Sequence, residues 1–179
     1  MKRYEVIDSP DISKELLQAR IFTYKYNKIH PAKTQKRYKM LQKHLAHIGQ
    51  NSYILSPFNC DLGTNITLGD NVFINYNAVF LDCAKITIGN HVRIAPNCSI
   101  YTVGHPLNAK IRRTNSYTFG DVVIGDDTWI GGNVKILPGV TIGKRCVIGA
   151  GAVVTKDIPD DSLAYGVPAR VVRKIDNKN

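Results

Sequence analysis

Residues 122–157 read VVIGDDTWIGGNVKILPGVTIGKRCVIGAGAVVTKD. Within them Ile124, Ile130, Ile136, Ile142, Ile148 and Val154 fall six residues apart without a slip, and Gly125, Gly131, Gly143 and Gly149 each follow one of these positions. The same beat occurs upstream in Leu68, Ile74 and Phe80, and again, after a shift of two residues, in Ile88, Ile94 and Ile100. A period of six is neither that of a free helix nor that of an ordinary strand. It is the period of the hexapeptide β-helix, in which each repeat is one short strand and a corner. The branched residue points toward the coil axis, and a small or polar residue turns the corner. Three strands close one coil of a triangular prism, and the stacked aliphatics form a column that no single rung buries alone. Twelve positions in register argue against chance alternation in a sandwich. The expectation is a mainly β chain, a parallel β-helix of about four coils.

Around this stretch, the size and composition are those of a globular protein with one core. The chain has 179 residues, 44% hydrophobic and 21% charged,. No run is long and apolar enough to span a bilayer. The opening residues lack the apolar core and cleavage site of a signal peptide, so a cytoplasmic location is expected. Cys60, Cys83, Cys98 and Cys146 form no C-x-x-C pair, which points to small buried thiols and not to a zinc site. The net charge is +10. Neither a nucleic-acid motif nor aromatic interleaving accompanies it. A phosphate-rich small molecule or a solvated basic face accounts for it, with no nucleic acid and no membrane as partner.

Taken in order, residues 1–50 read as a helical segment packing on an end or side of the prism. A first helix spans 10–27, capped by Ser9 with Pro10 in its first turn and a buried stripe of Leu16, Leu17, Ile21 and Tyr24,. Pro31 opens a second helix whose apolar face is Tyr38, Leu41, Leu45 and Ile48, closed by Gly49,. Residues 52–62 read as a connector within the prism segment 51–157. The beat breaks over residues 101–121, which fit an extruded loop, and such loops on repeat scaffolds tend to carry function. Residues 158–179 form a tail.

Two residues stand out chemically. His105 begins the extruded loop and precedes Pro106, which stiffens the loop there. A histidine so placed can act as a general base, assistance typically contributing ~10²–10⁴-fold; the alternative is a surface histidine with no task. Asn75 follows Ile74 on an early rung. It reads either as a member of a corner asparagine ladder or as a donor aimed at a developing oxyanion, where one donor can be worth ~10²–10³-fold.

Asn75, Leu81-Asp82, the run Tyr101 to Pro106, Trp129-Ile130-Gly131-Gly132 and Gly166-Val167-Pro168-Ala169-Arg170 together resemble the hexapeptide O-acetyltransferases. Within them the chain is most similar to the maltose and galactoside enzymes, and residues 57–66 resemble the maltose branch. The resemblance covers nearly the whole chain. It implies a left-handed parallel β-helix, a homotrimer with active sites in the clefts between subunits, acetyl-coenzyme A as co-substrate, no required metal, and a sugar or glycoside hydroxyl as acceptor. His105 then matches the general base and Asn75 the oxyanion donor, with direct attack in a ternary complex. The chain has no G-x-S-x-G nucleophile elbow,. Trp129, Gly132, Ala150, Thr155, Lys156, Arg170 and Arg173 match the coenzyme positions, where small residues admit the pantetheine arm and cations meet phosphates.

The acceptor positions depart from the galactoside pattern. Cys83 stands where those enzymes carry a carboxylate, and Asp61 agrees with the maltose branch. Asp8 is the nearest candidate for the acidic residue of the opening segment. The opening Gly-x-x-Tyr element is missing, and Ser116 and Tyr117 occupy the late-loop acidic position. An antibiotic or cell-envelope acceptor is therefore the alternative within acyl transfer. Outside it stand a zinc enzyme similar to the γ-type carbonic anhydrases, for which only His91 and His105 lie in the repeats, and a non-catalytic trimeric scaffold.

Overall fold

The structure, a computed structural model, describes residues 4–6 and 10–176. A strand β1 (Tyr4–Val6) precedes helices α1 (Pro10–Asn27) and α2 (Thr34–His44). Ser9 and Asp8 lie outside the described residues. The chain then winds through successive coils of three strands. The first coil is β2 (His47–Ile48), β3 (Tyr53–Ile54) and β4 (Phe58–Cys60), and the second is β5 (Ile66–Leu68), β6 (Phe73–Ile74) and β7 (Ala78–Leu81). The third is β8 (Ile86–Ile88), β9 (Arg93–Ile94) and β10 (Ser99–Tyr101). An excursion follows through β11 (Val103–Gly104), α3 (Ala109–Arg112) and β12 (Ser116–Phe119). The fourth coil is β13 (Val122–Ile124), β14 (Trp129–Ile130) and β15 (Lys135–Ile136); the fifth is β16 (Thr141–Ile142), β17 (Val147–Ile148) and β18 (Val153–Val154). A hairpin, β19 (Ser162–Gly166) and β20 (Ala169–Lys174), ends the described chain.

Parallel pairing stacks these strands into three faces. The first face is β2-β5-β8-β13-β16, the second β3-β6-β9-β14-β17-β19-β20, and the third β4-β7-β10-β15-β18. The beat residues pair with one another along each face: Ile48 with Leu68 and Leu68 with Ile88, Ile54 with Ile74 and Ile74 with Ile94, Ile130 with Ile148, and Ile100 with Phe80 and Ile136. All are buried, as is Cys60. Each fully buried aliphatic of this kind contributes ~1.5–3 kcal/mol of transfer free energy.

Among the described residues there are thus five complete coils and the start of a sixth, not about four. The missed coil is the first. Ile48, Ile54 and Cys60 keep the six-residue spacing, but Ile48 also continues the apolar spacing of α2, and a cysteine replaces the expected isoleucine. Residues 52–62 are accordingly prism wall and not a connector.

Corners are turned by residues in the left-handed region. Between the first and second faces these are Asn51, Asn71, His91, Asp127 and Arg145, and between the second and third faces Asn77, Asn97 and Asn133. Asparagine and aspartate tolerate this conformation better than other residues with a Cβ. Coil length is not uniform. Ile48, Leu68 and Ile88 are 20 residues apart, Ile88 and Ile124 are 36 apart, and Ile124 and Ile142 are 18 apart. The extra residues always fall at the third corner, between the third and first faces.

The helices cover the open end of the prism. Tyr26 Oη donates to the Ile54 carbonyl. Asn27 exchanges two hydrogen bonds with the Phe58 backbone, both 2.9 Å. Tyr26, Phe58 and Phe80 meet edge-on down the axis. The buried side of α1 is Ala19, Phe22, Thr23 and Tyr26. The stripe expected there is corrected: Leu16 is half-buried, while Leu17, Ile21 and Tyr24 are exposed. Helix α1 carries two adjacent apolar stripes, and the one with the large aromatics, which fill the prism mouth, faces inward. Helix α2 starts at Thr34 and not at Pro31, and ends before Leu45.

Candidate active site

The third corner gathers one set of the expected site residues. Asp61 follows β4, Cys83 follows β7, and the excursion bearing His105 leaves after β10, so the three come from successive coils on one edge. The Cys83 thiol donates to Asp61 Oδ2 at 3.4 Å. Burial pushes the Asp61 carboxyl up, and the bond from Cys83 opposes this. Burial, then the Asp61 charge, pushes the Cys83 thiol up to about 12.

Asp82 and Thr102 hold this edge in shape. The buried Asp82 carboxylate accepts from the backbone N–H groups of Asp61 (3.1 Å), Leu62 (2.9 Å), Gly63 (2.7 Å) and Asn65 (3.3 Å). Asn65 Nδ2 returns a bond to the Asp82 carbonyl at 2.8 Å. Gly63 has φ +80°, and a Cβ there would stand 2.4 Å from the His44 ring, so the turn beneath Asp61 needs glycine. Thr102 Oγ1 donates to Leu81 O (2.7 Å) and accepts from Ala84 N (2.8 Å), clamping the segment that carries Cys83. Both residues stand inside the motifs Leu81-Asp82 and Tyr101 to Pro106, which by themselves assign neither a role. Buried polar residues at rung ends, where a column otherwise calls for apolar ones, are the signal that finds both.

The excursion is itself a built structure. β12 pairs with β11 on one side and β1 on the other, all antiparallel, and Glu5 stands opposite Tyr117 in that register. The opening segment is thereby brought beside the loop. His105 follows β11 and is exposed, with its ring 4.9 Å from that of Tyr117. Arg112 Nη1 donates to the carbonyls of Pro106 (2.9 Å) and Leu107 (3.2 Å), and Asn108 caps α3. These bonds fix the backbone immediately after His105.

The second set lies on another edge. Asn75 ends β6 at the second corner, between the second and third faces. Its Oδ1 accepts from the N–H of Tyr76 at 2.8 Å. Only an oxygen can face that donor, so Nδ2 is turned away from the rung, and among the described residues it bonds nothing. The asparagine ladder expected as the alternative role is carried elsewhere, by Asn77 to Asn97 (3.0 Å) and Asn51 to Asn71 (3.3 Å).

Beyond Asn75 the same corner continues as a strip of small residues. Ala95, Gly131 and Gly149 repeat its position on the next rungs, and Pro96, Gly132 and Ala150 repeat that of Tyr76. A Cβ on Gly131 would come within 2.7 Å of Ala150 N and Ile148 O. Trp129, 54% exposed, flanks the strip on the second face. Arg170 and Arg173 lie exposed on β20 at its far end and make no ion pair among the described residues. Thr155 and Lys156 are exposed at the third corner of the fifth coil. A smooth floor ending in unpaired cations fits a long, phosphate-bearing ligand. Asp8 lies outside the described residues.

One chain therefore separates His105, Asp61, Cys83, Thr155 and Lys156 on one edge from Asn75, Gly132 and Ala150 on the next.

Comparison with known proteins agrees with this architecture. Residues 121–156 match the family model for the bacterial transferase hexapeptide (six repeats). The galactoside O-acetyltransferase of Escherichia coli is 38% identical over 168 residues, covering 94% of this chain and 83% of the relative. A crystal structure of a maltose O-acetyltransferase from Clostridium difficile superposes with a TM-score of 0.96 at 40% identity, covering 98% of this chain and 94% of that one. A galactoside acetyltransferase in complex with coenzyme A superposes with a TM-score of 0.95 at 36% identity, covering 98% and 88%. The chain belongs to the hexapeptide-repeat acetyltransferases, acyl-transferring enzymes built on a left-handed parallel β-helix. Among the described residues no helix is long and apolar enough to cross a membrane.

Proposed function

We propose that the protein transfers the acetyl group of acetyl-coenzyme A to a hydroxyl of a sugar or glycoside, in clefts between the subunits of a homotrimer. The observation that carries this reading is the division of the site over two edges of one prism, with His105 on one and Asn75 at the head of a small-residue strip on the other. The relatives named for galactoside and maltose acetylation supply the acceptor class.

In this mechanism the imidazole of His105 accepts the proton of the acceptor hydroxyl as its oxygen attacks the thioester carbonyl. Asn75 Nδ2, freed by the Tyr76 bond, donates to the carbonyl oxygen where negative charge builds. The C–S bond breaks, and His105 returns its proton to the departing thiolate. Tyr117 and the Arg112-braced backbone hold the imidazole in place. Ala95, Gly131, Gly132, Gly149 and Ala150 give the pantetheine arm room, Trp129 covers it, and Lys156, Arg170 and Arg173 meet the phosphates. Asp61 and Cys83 face the acceptor. A thiol at position 83 and Tyr117 on the loop make this pocket less acidic than a pair of carboxylates would. That favours, as a second reading, an acceptor other than a simple galactoside or maltose, such as an antibiotic or cell-envelope saccharide.

The test is release of free coenzyme A from acetyl-coenzyme A against glucosides, galactosides, maltose and hydroxyl-bearing antibiotics. Acceptor-dependent release by the wild type, lost in His105→Ala, is expected; release that persists in that variant would remove His105 from its role. Reassembling His105→Ala with Asn75→Ala chains addresses the cleft. Random pairing leaves roughly one interface in four with both native residues, so partial activity should return, and none should return if each chain holds a whole site.

A further inference from the structure

A further opening into the protein lies on neither of these edges. A cavity of about 670 Å³ lies where α2 leans over the first coil, within the ~300–1,000 Å³ usual for small-ligand sites. Tyr26, Arg37, Tyr38 and Leu41 form its helical wall, and Gln50 and Tyr53 stand on the coil side. Most of this lining is ring face and aliphatic carbon.

Arg37 is the exception. It is only 9% exposed, which is unusual for arginine unless it is paired. Its Nη2 donates to the Ile29 carbonyl at 2.7 Å and to Ser56 Oγ at 2.9 Å, both uncharged acceptors. Its Nε is fully enclosed without any partner, and among the described residues Nη1 makes no hydrogen bond and no carboxylate pairs with the guanidinium. The face of the Tyr26 ring, 5.6 Å away, is the nearest compensation. A guanidinium withdrawn from water without a counter-ion is costly. Lysines on the exposed side of α2, Lys36, Lys39 and Lys43, add positive potential around the same helix,.

We propose that this groove is a second ligand site, taking a small organic anion: a carboxylate or phosphate ester on an apolar or sugar-like body. The anion pairs with Nη1 of Arg37, and the body lies against Tyr38 and Tyr53 with Gln50 available to its hydroxyls. The site rests on the cavity and on Arg37 alone, and it stands whether or not the acetyl-transfer reading does.

Calorimetric titration of the full chain tests it, with benzoate and glucuronate as carboxylates, glucose 6-phosphate as the phosphate ester, and benzyl alcohol and glucose as uncharged counterparts. At least one anion should bind at millimolar concentration, the two anion classes separating by their heats. Arg37→Gln should weaken that binding by about tenfold or more and leave any binding of glucose unchanged. Gln50→Trp keeps Arg37 and its support but fills the groove, so it should abolish anion binding even if Arg37→Gln proves unstable. Absence of binding by every anion, or an anion affinity unchanged in Gln50→Trp, overturns the proposal.

Discussion

The thiol of Cys83 donates to the carboxylate of Asp61 across 3.4 Å, joining two successive coils at the edge where the acceptor is proposed to sit. The pairing suppresses the reactivity of the thiol, since burial and the Asp61 charge push it up to about 12. At pH 8 alkylation of Cys83 by iodoacetamide should be slower than that of a free cysteine by on the order of a thousandfold. Asp61→Asn should recover at least about tenfold. Peptide mapping by mass spectrometry reads both rates, and equal rates in wild type and variant would dissociate Asp61 from the thiol.

Asn75 offers a sharper discrimination. Its Oδ1 is committed to Tyr76, so the group that reaches outward is a donor. Asn75→Ala should lower kcat by ~10²–10³-fold with little change in KM. Asn75→Asp keeps the bond to Tyr76 but presents an oxygen outward, and it should be no better than alanine. An active aspartate variant would assign Asn75 to architecture and not to charge stabilisation.

Asp82 is a structural clamp, and removing it should be felt in stability. Four backbone N–H groups converge on its carboxylate. Asp82→Ala strands them and should cost about 3 kcal/mol or more, whereas Asp82→Asn keeps one acceptor and should cost about half as much. Urea unfolding measures both; near-neutral behaviour of the alanine variant would mean that water replaces the carboxylate.

A pH dependence follows from His44. Its ring stacks on Phe22 at 3.7 Å, its buried Nε2 has no hydrogen-bond partner among the described residues, and burial holds its pKa below the ordinary range. The unfolded chain therefore takes up a proton first as pH falls. The stability His44 contributes is complete above about pH 6.5 and declines as pH drops toward the folded-state value. Melting curves between pH 8 and pH 5 should show this loss, and His44→Gln should flatten it. An identical slope in the variant would place the titration elsewhere.

Much of the fold was legible because a period of six is hard to produce by accident. Coils two to five follow directly from Leu68 to Val154. The first coil was hidden because one residue satisfied two periods, Ile48 lying three residues beyond Leu45 on the helical face and six before Ile54 in the prism. The orientation of α1 was hidden for a related reason. Leu17, Ile21 and Tyr24 are as apolar as the stripe that is buried, and only the shape of the prism mouth, closed by Tyr26 and Phe58, selects between them. At the site, His105 could be singled out from the loop and its proline, but the role of Asn75 could not, since ladder and donor use the same residue at the same kind of corner. Its separation from His105 was accessible in principle. Asn75 follows the second beat of its coil, whereas Asp61, Cys83 and the loop follow the third. Arg37 gave no sequence signal at all, because a lysine-rich helix conceals which of its cations is withdrawn from solvent.

The unequal coil lengths have a practical meaning. A residue added within a face would reverse inside and outside for the rest of that strand, yet two residues, or eighteen, have been accommodated at the third corner with every inward position still aligned. That edge is where this scaffold tolerates insertion. On the proposed site, loops lengthened in the excursion between β11 and β12, outside the turns that Asp82 and Thr102 clamp, should retune which acceptor is taken while the strip beside Trp129 is left untouched, so acceptor range and donor handling become separately engineerable parts of one chain.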